Sequence, residues 1–157
     1  MTHVDVQLAC DDPDVPRADR IREWVSSAVA AAAVPTTRES EVSVRVVNIE
    51  EMQTLNREYR DTDKPTNVLS FPGGDAAGLP DEETVGLGDV IICAEVVRNE
   101  AAEQNKALVD HWAHMLVHGT LHLLGYDHIS EDEAADMEGL EAKILTANGV
   151  SDPYRVQ

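Results

Sequence analysis

Residues 118–128 read His118-Gly119-Thr120-Leu121-His122-Leu123-Leu124-Gly125-Tyr126-Asp127-His128, and this stretch predicts both the end of a long helix and a metal site. The helical period places His118 and His122 on one face, one turn apart, where both rings can reach a single ion. Gly125 suits the helix end, because a left-handed closing residue costs glycine little. The chain can then turn back and bring His128 to the same point. Three neutral nitrogen ligands with an open fourth position are typical of a catalytic zinc site.

The spacing of these histidines matches the metzincin protease pattern His-Glu-x-x-His-x-x-Gly-x-x-His at every position except one. The proteases have a glutamate directly after the first histidine, as general base for the metal-bound water. Gly119 occupies that position here and has no side chain. The pattern therefore predicts metal chemistry on something other than a peptide. His111 and His114 precede the motif, and we expect them to pack or hydrogen-bond around the site, because three ligands already fill it.

The hydrophobic pattern along the rest of the chain predicts a protein of the α/β or α+β class. Residues 1–157 are expected to form one domain, in which a small mixed sheet of about four strands packs against several helices. Pro16 is expected to open the first helix and Asn48 to cap the second. Pro72 to Gly86 is interpreted as a mobile loop. The last helix has a capping box at Ser130 and a buried stripe of Met137, Leu140 and Ile144. The predicted strands cover 4–8, 42–46, 68–71 and 90–93, and the later helices cover 94–104, 108–124 and 130–147.

The composition limits the classes of protein and partner. The first nine residues resemble no secretory signal, and the longest apolar stretch, 28–34, is far short of a membrane span, so we expect a cytoplasmic protein without membrane contact. Cys10 and Cys93 are a weak disulfide signal. The net charge of −18 argues against nucleic-acid binding by electrostatics alone, and the acids are unevenly spread, with a dense group toward the end of the chain that includes Glu138 and Glu141. Arg57, Arg60 and Lys64 form a local basic cluster.

A second motif, Leu55 to Pro72, contains Asp63-Lys64-Pro65-Thr66 immediately before a strand, where Pro65 makes the turn rigid. Arg60, on the approach to this strand, could point toward the metal site. Its planar guanidinium is well shaped to hold a phosphate while charge develops on it. The alternative is that Arg60 pairs with Asp61 or Asp63 at the surface.

With both motifs, the chain resembles the YbeY-type endoribonucleases, which are bacterial ribosomal-RNA maturation factors. The similarity covers roughly the last two thirds of the chain; the matching stretches are 55–72, 88–93, 111–128 and Asp152-Pro153-Tyr154. The resemblance implies a zinc-dependent, single-strand-specific endoribonuclease that matures the 3′ end of small-subunit 16S ribosomal RNA and acts in ribosome quality control. It implies His118, His122 and His128 as metal ligands of one zinc ion, and Arg60 with His118 as the residues of catalysis. Its partners would be single-stranded RNA and the small ribosomal subunit, and not DNA.

Two alternatives remain open from the residues. One is a metallo-hydrolase of a substrate other than RNA, and the other is a non-catalytic ribosome-assembly factor whose zinc is structural. An open fourth coordination position would argue against a structural zinc, and an arginine facing the metal would favour a phosphate ester. The general base and the oligomeric state are not predicted.

Overall fold

The structure, a computed structural model, describes residues 2–32, 39–73, 85–127 and 129–154. In chain order, the elements within these ranges are β1 (Thr2–Leu8), α1 (Ala18–Ala31), β2 (Ser40–Val47), α2 (Ile49–Arg60), β3 (Val68–Pro72), β4 (Val85–Cys93), α3 (Ala94–Glu103), α4 (Leu108–Leu123) and α5 (Glu131–Ala147).

The described strands form one mixed sheet in the order β1-β2-β4-β3. β1 and β4 both pair with β2 in parallel, while β3 lies antiparallel to β4 at the edge. The predicted α/β class with a small four-stranded mixed sheet is therefore confirmed. The antiparallel edge strand places the segment that follows α2 next to the helix that carries the histidine motif.

One face of the sheet is buried under helices, whereas the opposite face is covered only in part and its residues in β1 are exposed. Val44, Val46 and Ile92 belong to the larger core, which α1, α4 and α5 cover. Val47 and Ile91 point the other way, into a smaller core with Met52 of α2. Successive residues of a strand face opposite sides, so one apolar run supplies both cores.

Several predicted boundaries were wrong. α1 begins at Ala18 rather than at Pro16, because the carbonyl of Arg17 accepts the first helical hydrogen bonds, from the amides of Arg20 and Ile21. β4 begins at Val85 rather than Val90, because its glycine-containing first half still pairs with β2 across a register shift. This extension was not predicted because the first half of β4 is rich in glycine.

Three further predictions concern loops, helix packing and membranes. Most of the predicted mobile loop, residues 74–84, lies outside the described residues, whereas Pro72 ends β3 and Gly86 belongs to β4. Leu140 of the predicted α5 stripe is only partly buried. None of the helices in the described ranges has the length and apolar character that crossing a bilayer would need.

Gly119 brings α4 close to the sheet. A Cβ atom built there would lie 2.9 Å from Val68 Cγ2 and 3.1 Å from Val90 Cγ1, closer than ordinary van der Waals contact. Position 119 therefore faces β3 and β4, and a longer side chain would collide with both strands. The absence of the protease glutamate follows from helix–sheet packing here, as well as from a difference in chemistry.

We expect Gly119→Ala to lower the free energy of unfolding by about 1–3 kcal/mol, since overpacking of this size outweighs the better helix propensity of alanine. Urea unfolding followed by tryptophan fluorescence would measure the change. Gly139→Ala in α5 is the matched control, because a Cβ there meets no atom within 4 Å. The control should gain about 0.5–1 kcal/mol. Equal effects of the two substitutions would contradict the close approach at Gly119.

Candidate active site

α4 carries two of the predicted metal ligands on one face. The ring centroids of His118 and His122 lie 4.6 Å apart, with the planes 81° from each other. The helix ends as predicted: Gly125 has φ +102°, its amide donates to the carbonyl of His122, and the amide of Tyr126 donates to the carbonyl of Leu121. This pair of bonds is a Schellman motif, and it turns the chain back directly after the second histidine.

The third predicted ligand, His128, lies outside the described residues. Among those that are described, no three His, Cys, Asp or Glu side chains are grouped closely enough to hold a metal ion. Two imidazoles one helical turn apart do fit a zinc site chemically, because neutral ring nitrogens are preferred zinc ligands. The complete set of three ligands stays a prediction.

A buried carboxylate stands behind these histidines. Glu141 of α5 has no exposed surface. Its Oε1 lies 2.7 Å from His118 Nδ1, and its Oε2 lies 3.0 Å from His114 Nε2. The hydroxyl of Tyr154 also donates to Oε2. One carboxylate thus ties α4 to α5 and to the segment after α5, and it restrains His118 from behind.

The surroundings of Glu141 keep it ionised. Burial by itself raises the pKa of this carboxyl, but hydrogen bonds from His114, His118 and Tyr154 lower the pKa to about 2. Burial and the bond to Glu141 raise the pKa of the Tyr154 hydroxyl, which remains protonated. The result is a buried negative charge adjacent to the predicted ligand, an arrangement typical of metal-binding histidines.

Arg60 is the last residue of α2, and two contacts define that end of the helix. Asp61 takes a left-handed conformation with φ +57°, and its amide donates to the carbonyl of Asn56. The buried Asn56 side chain then donates to the carbonyl of Lys64 at 2.7 Å and ties down the following turn. Arg60 therefore leaves the helix at a fixed point on the approach to β3.

The alternative in which Arg60 pairs with Asp61 or Asp63 at the surface is not seen in the described part of the chain. There, Arg57 is the residue that approaches Asp63, at 3.8 Å, and no carboxylate pairs with the Arg60 guanidinium. Arg60 instead lines a cavity of about 510 Å³ together with His118 and His122. We call this cavity the cleft; its polar lining residues are Arg60, Thr66, Asn67, Ser70, His118, His122 and Asp127.

β3 forms one wall of the cleft and is hydrogen-bonded to α4, the helix that forms the other wall. Ser70 Oγ donates to the carbonyl of Gly119 at 2.6 Å. The close approach at Gly119 permits this bond, since a side chain at that position would push the strand away. The backbone thus places the segment after Arg60 next to the two histidines.

The other histidines of α4 are partners in hydrogen bonds. His111 is buried, and its Nε2 lies 2.9 Å from Glu100 Oε1. Burial lowers the pKa of His111, so its ring is neutral at pH 7. His114 binds Glu141 as described above. The predicted hydrogen-bonding role of both residues agrees with these contacts.

Sequence reasoning missed Glu141, and it also missed Thr66, Asn67, Ser70 and Asp127, which line the cleft. The sequence places Glu141 among the many acids of the last helix, which are normally exposed to solvent. The position of Glu141 indicates that it lies on the apolar face of α5, because it follows Met137 by four residues and precedes Ile144 by three. A carboxylate in such a stripe is seldom buried without polar partners.

Comparisons with known proteins give a consistent result. The family model described as endoribonuclease YbeY matches residues 7–149. A protein named endoribonuclease YbeY from Colwellia psychrerythraea is 49% identical over 158 residues, covering 100% of both chains. Relatives with the same name come from Alcanivorax borkumensis, 53% identical over 96% of this chain and 85% of the relative, and from Psychromonas ingrahamii, 48% identical over 97% and 95%.

A solved structure shares the fold. The solution structure of a Thermotoga maritima protein aligns over 99% of this chain and 100% of its own, with a TM-score of 0.57 and 23% sequence identity. At this level of identity the likeness concerns architecture only. It agrees with the mixed sheet and the helices described above.

Proposed function

Because the chain belongs to the endoribonuclease YbeY family, we propose that it is a zinc-dependent endoribonuclease that cuts single-stranded RNA, with its active site in the cleft. In this proposal residues 1–157 act as one catalytic domain. His118, His122 and His128 hold one zinc ion, and Arg60 and His118 are the residues on which catalysis depends.

The observation that supports the proposal most is the lining of the cleft. The guanidinium-bearing Arg60 and the imidazoles of His118 and His122 border the same cavity, although they come from α2 and α4. A cation beside a pair of metal-binding side chains suits a phosphodiester, which is negatively charged in the ground state and gains further charge in the transition state. A peptide bond is uncharged in the ground state, so the substrate itself gives an arginine no charge to bind.

The residues of the chain have separate tasks in this mechanism. Arg60 donates hydrogen bonds to the non-bridging oxygens of the scissile phosphate and stabilises the charge of the pentavalent transition state. His118 and His122 hold the metal through ring nitrogens, and Glu141 restrains His118. A bound zinc ion supplies Lewis acidity, which activates water or polarises a phosphoryl oxygen.

In the cell, we propose that the enzyme acts in the cytoplasm on ribosomal RNA. Its expected substrate is the 3′ end of 16S RNA within the small ribosomal subunit, and its expected further role is ribosome quality control. The net charge of −18 makes the long-range interaction with RNA repulsive, so a protein or ribosomal context would help to deliver the substrate.

The test compares substrates. Zinc-loaded protein should cut a labelled single-stranded RNA, lose this activity with a chelator and regain it with Zn²⁺, while casein stays intact. The reason is that Gly119 supplies no general base, a role that contributes about 10²–10⁴-fold in proteases. Gel electrophoresis of both substrates measures the result. Casein cleavage without RNA cleavage would contradict the proposal, as would RNA cleavage that persists without metal.

A further inference from the structure

The contacts of Glu141 determine where the protons lie on three side chains. An ionised carboxylate can only accept hydrogen bonds, so each partner atom of Glu141 must carry a proton. His118 therefore has its proton on Nδ1, 2.7 Å from Oε1, and His114 has its proton on Nε2, 3.0 Å from Oε2. The two neighbouring rings of α4 are held in opposite tautomers.

We propose that Glu141 is a positioning residue that selects the Nδ1–H tautomer of His118 and so leaves the lone pair of the neutral ring on Nε2. This inference rests on the proposed function in one respect, the assignment of His118 as a metal ligand. Free histidine in water prefers the opposite tautomer, with the proton on Nε2. Glu141 thus makes the site ready for a metal before the metal arrives.

A partly buried lysine, Lys106, fixes the tautomer of His114 independently. Lys106 Nζ, which can only donate, lies 3.3 Å from His114 Nδ1 and 3.2 Å from His111 Nδ1. His111 in turn has its Nε2 at 2.9 Å from the carboxylate of Glu100. Both Nδ1 atoms are acceptors, so His114 must present a protonated Nε2 to Glu141.

This arrangement makes Glu141→Gln an informative substitution. Oε2 accepts from two donors, His114 and Tyr154, whereas Oε1 accepts from His118. A glutamine keeps most of these bonds if its oxygen takes the Oε2 position and its amide faces His118. The reverse orientation would place an NH₂ group against the Nε2–H of His114, which Lys106 holds in that tautomer. In the favoured orientation the amide NH₂ donates to His118 Nδ1, so Nδ1 becomes an acceptor and the ring proton moves to Nε2, the ligand atom.

Nuclear magnetic resonance of the full chain with ¹⁵N-labelled histidine reads these tautomers directly. The protein is treated with a chelator and studied at a pH at which the rings are neutral, and the spectrum of His118→Ala assigns the His118 signals. We expect Nδ1–H for His118 in the wild type and Nε2–H in Glu141→Gln. Glu138→Gln is the matched control, an exposed acid of the same helix, and should retain Nδ1–H.

Zinc affinity provides the second measurement. Competition between the protein and a chromophoric chelator for Zn²⁺ should show about 10- to 100-fold weaker binding for Glu141→Gln, as is typical when the hydrogen-bond partner of a ligand is altered. Glu138→Gln should bind like the wild type. Circular dichroism establishes whether each variant is folded.

The outcomes separate the inference from the proposed function. Nε2–H on His118 in the wild type overturns the inference, and this reading does not depend on whether any variant folds. The inference is also overturned if Glu141→Gln is folded, keeps the His118 proton on Nδ1 and binds zinc with the wild-type affinity. A third outcome is that His118 has its proton on Nδ1 in the wild type and on Nε2 in Glu141→Gln, while neither protein binds zinc. This outcome supports the tautomer selection by Glu141 and overturns the proposed metal site.

Discussion

Replacing His118 with alanine is expected to remove zinc binding and RNA cleavage together. His118 is one of two histidines that line the cleft from a single face of α4, with the ring of His122 at 4.6 Å. When one of three ligands is removed, the zinc content should fall from about one ion per chain to a small fraction of that value under chelating conditions. A bound metal stabilises the transition state by several kcal/mol, and each roughly 1.4 kcal/mol corresponds to a tenfold change in rate. Cleavage should therefore drop on the order of 10³-fold.

Elemental analysis and single-turnover cleavage of a labelled RNA measure these two effects. His3→Ala is the matched control, since His3 is half-exposed on the edge strand β1 and contacts Glu39 at 3.1 Å. It should keep full metal content and rate. The expectation fails if His118→Ala retains stoichiometric zinc, and the proposed mechanism fails if that variant loses zinc while its cleavage rate is unchanged.

The second large effect concerns Arg60. Arg60→Ala should reduce cleavage by about 10²–10³-fold, as the loss of a donor aimed at a charged transition state does. Its stability should change by no more than about 0.5 kcal/mol, because the side chain is exposed and has no carboxylate partner in the described ranges. Arg60→Lys should recover only part of the rate, since an ammonium cannot bind two phosphate oxygens in the manner of a guanidinium.

Single-turnover rates and thermal melting of the same preparations distinguish catalysis from folding. Arg20→Ala on α1 is the control, because Arg20 is a surface arginine that lies over the Trp24 ring and is remote in sequence from the cleft motifs. It should cleave RNA at the wild-type rate. A melting point that collapses in Arg60→Ala, with normal specific activity in the folded fraction, would make Arg60 a structural residue.

The acidic composition shows how a sequence can mislead about a site. Glu141 is one of the acids that crowd the last sixth of the chain, where charges are normally exposed to solvent. In the structure it is fully buried and contacts His118, which is 23 residues earlier. The apolar stripe of α5 indicates the burial, but only the packing of α5 on α4 shows which donors surround the carboxylate.

Local patterns were sufficient for the elements themselves. The alternation of valines in β2, the side-chain caps at Asn48 and Ser130, and the glycine that ends α4 depend on residues a few positions apart, and all of them are present. The start of β4 was missed because its glycine-containing half pairs through its backbone, without the apolar alternation by which strands are recognised.

The fold class, the histidine pair on one helical face and the candidate arginine could be predicted from the residues alone, because helix period, turn chemistry and strand alternation are short-range properties. The three-dimensional packing was needed to show that Arg60 and the histidines border one cleft, that Gly119 faces the sheet, and that Glu141 lies behind His118. Each of these three facts depends on how closely elements distant in the chain approach one another. That distance is set by side-chain packing across the whole core, and no local pattern records it.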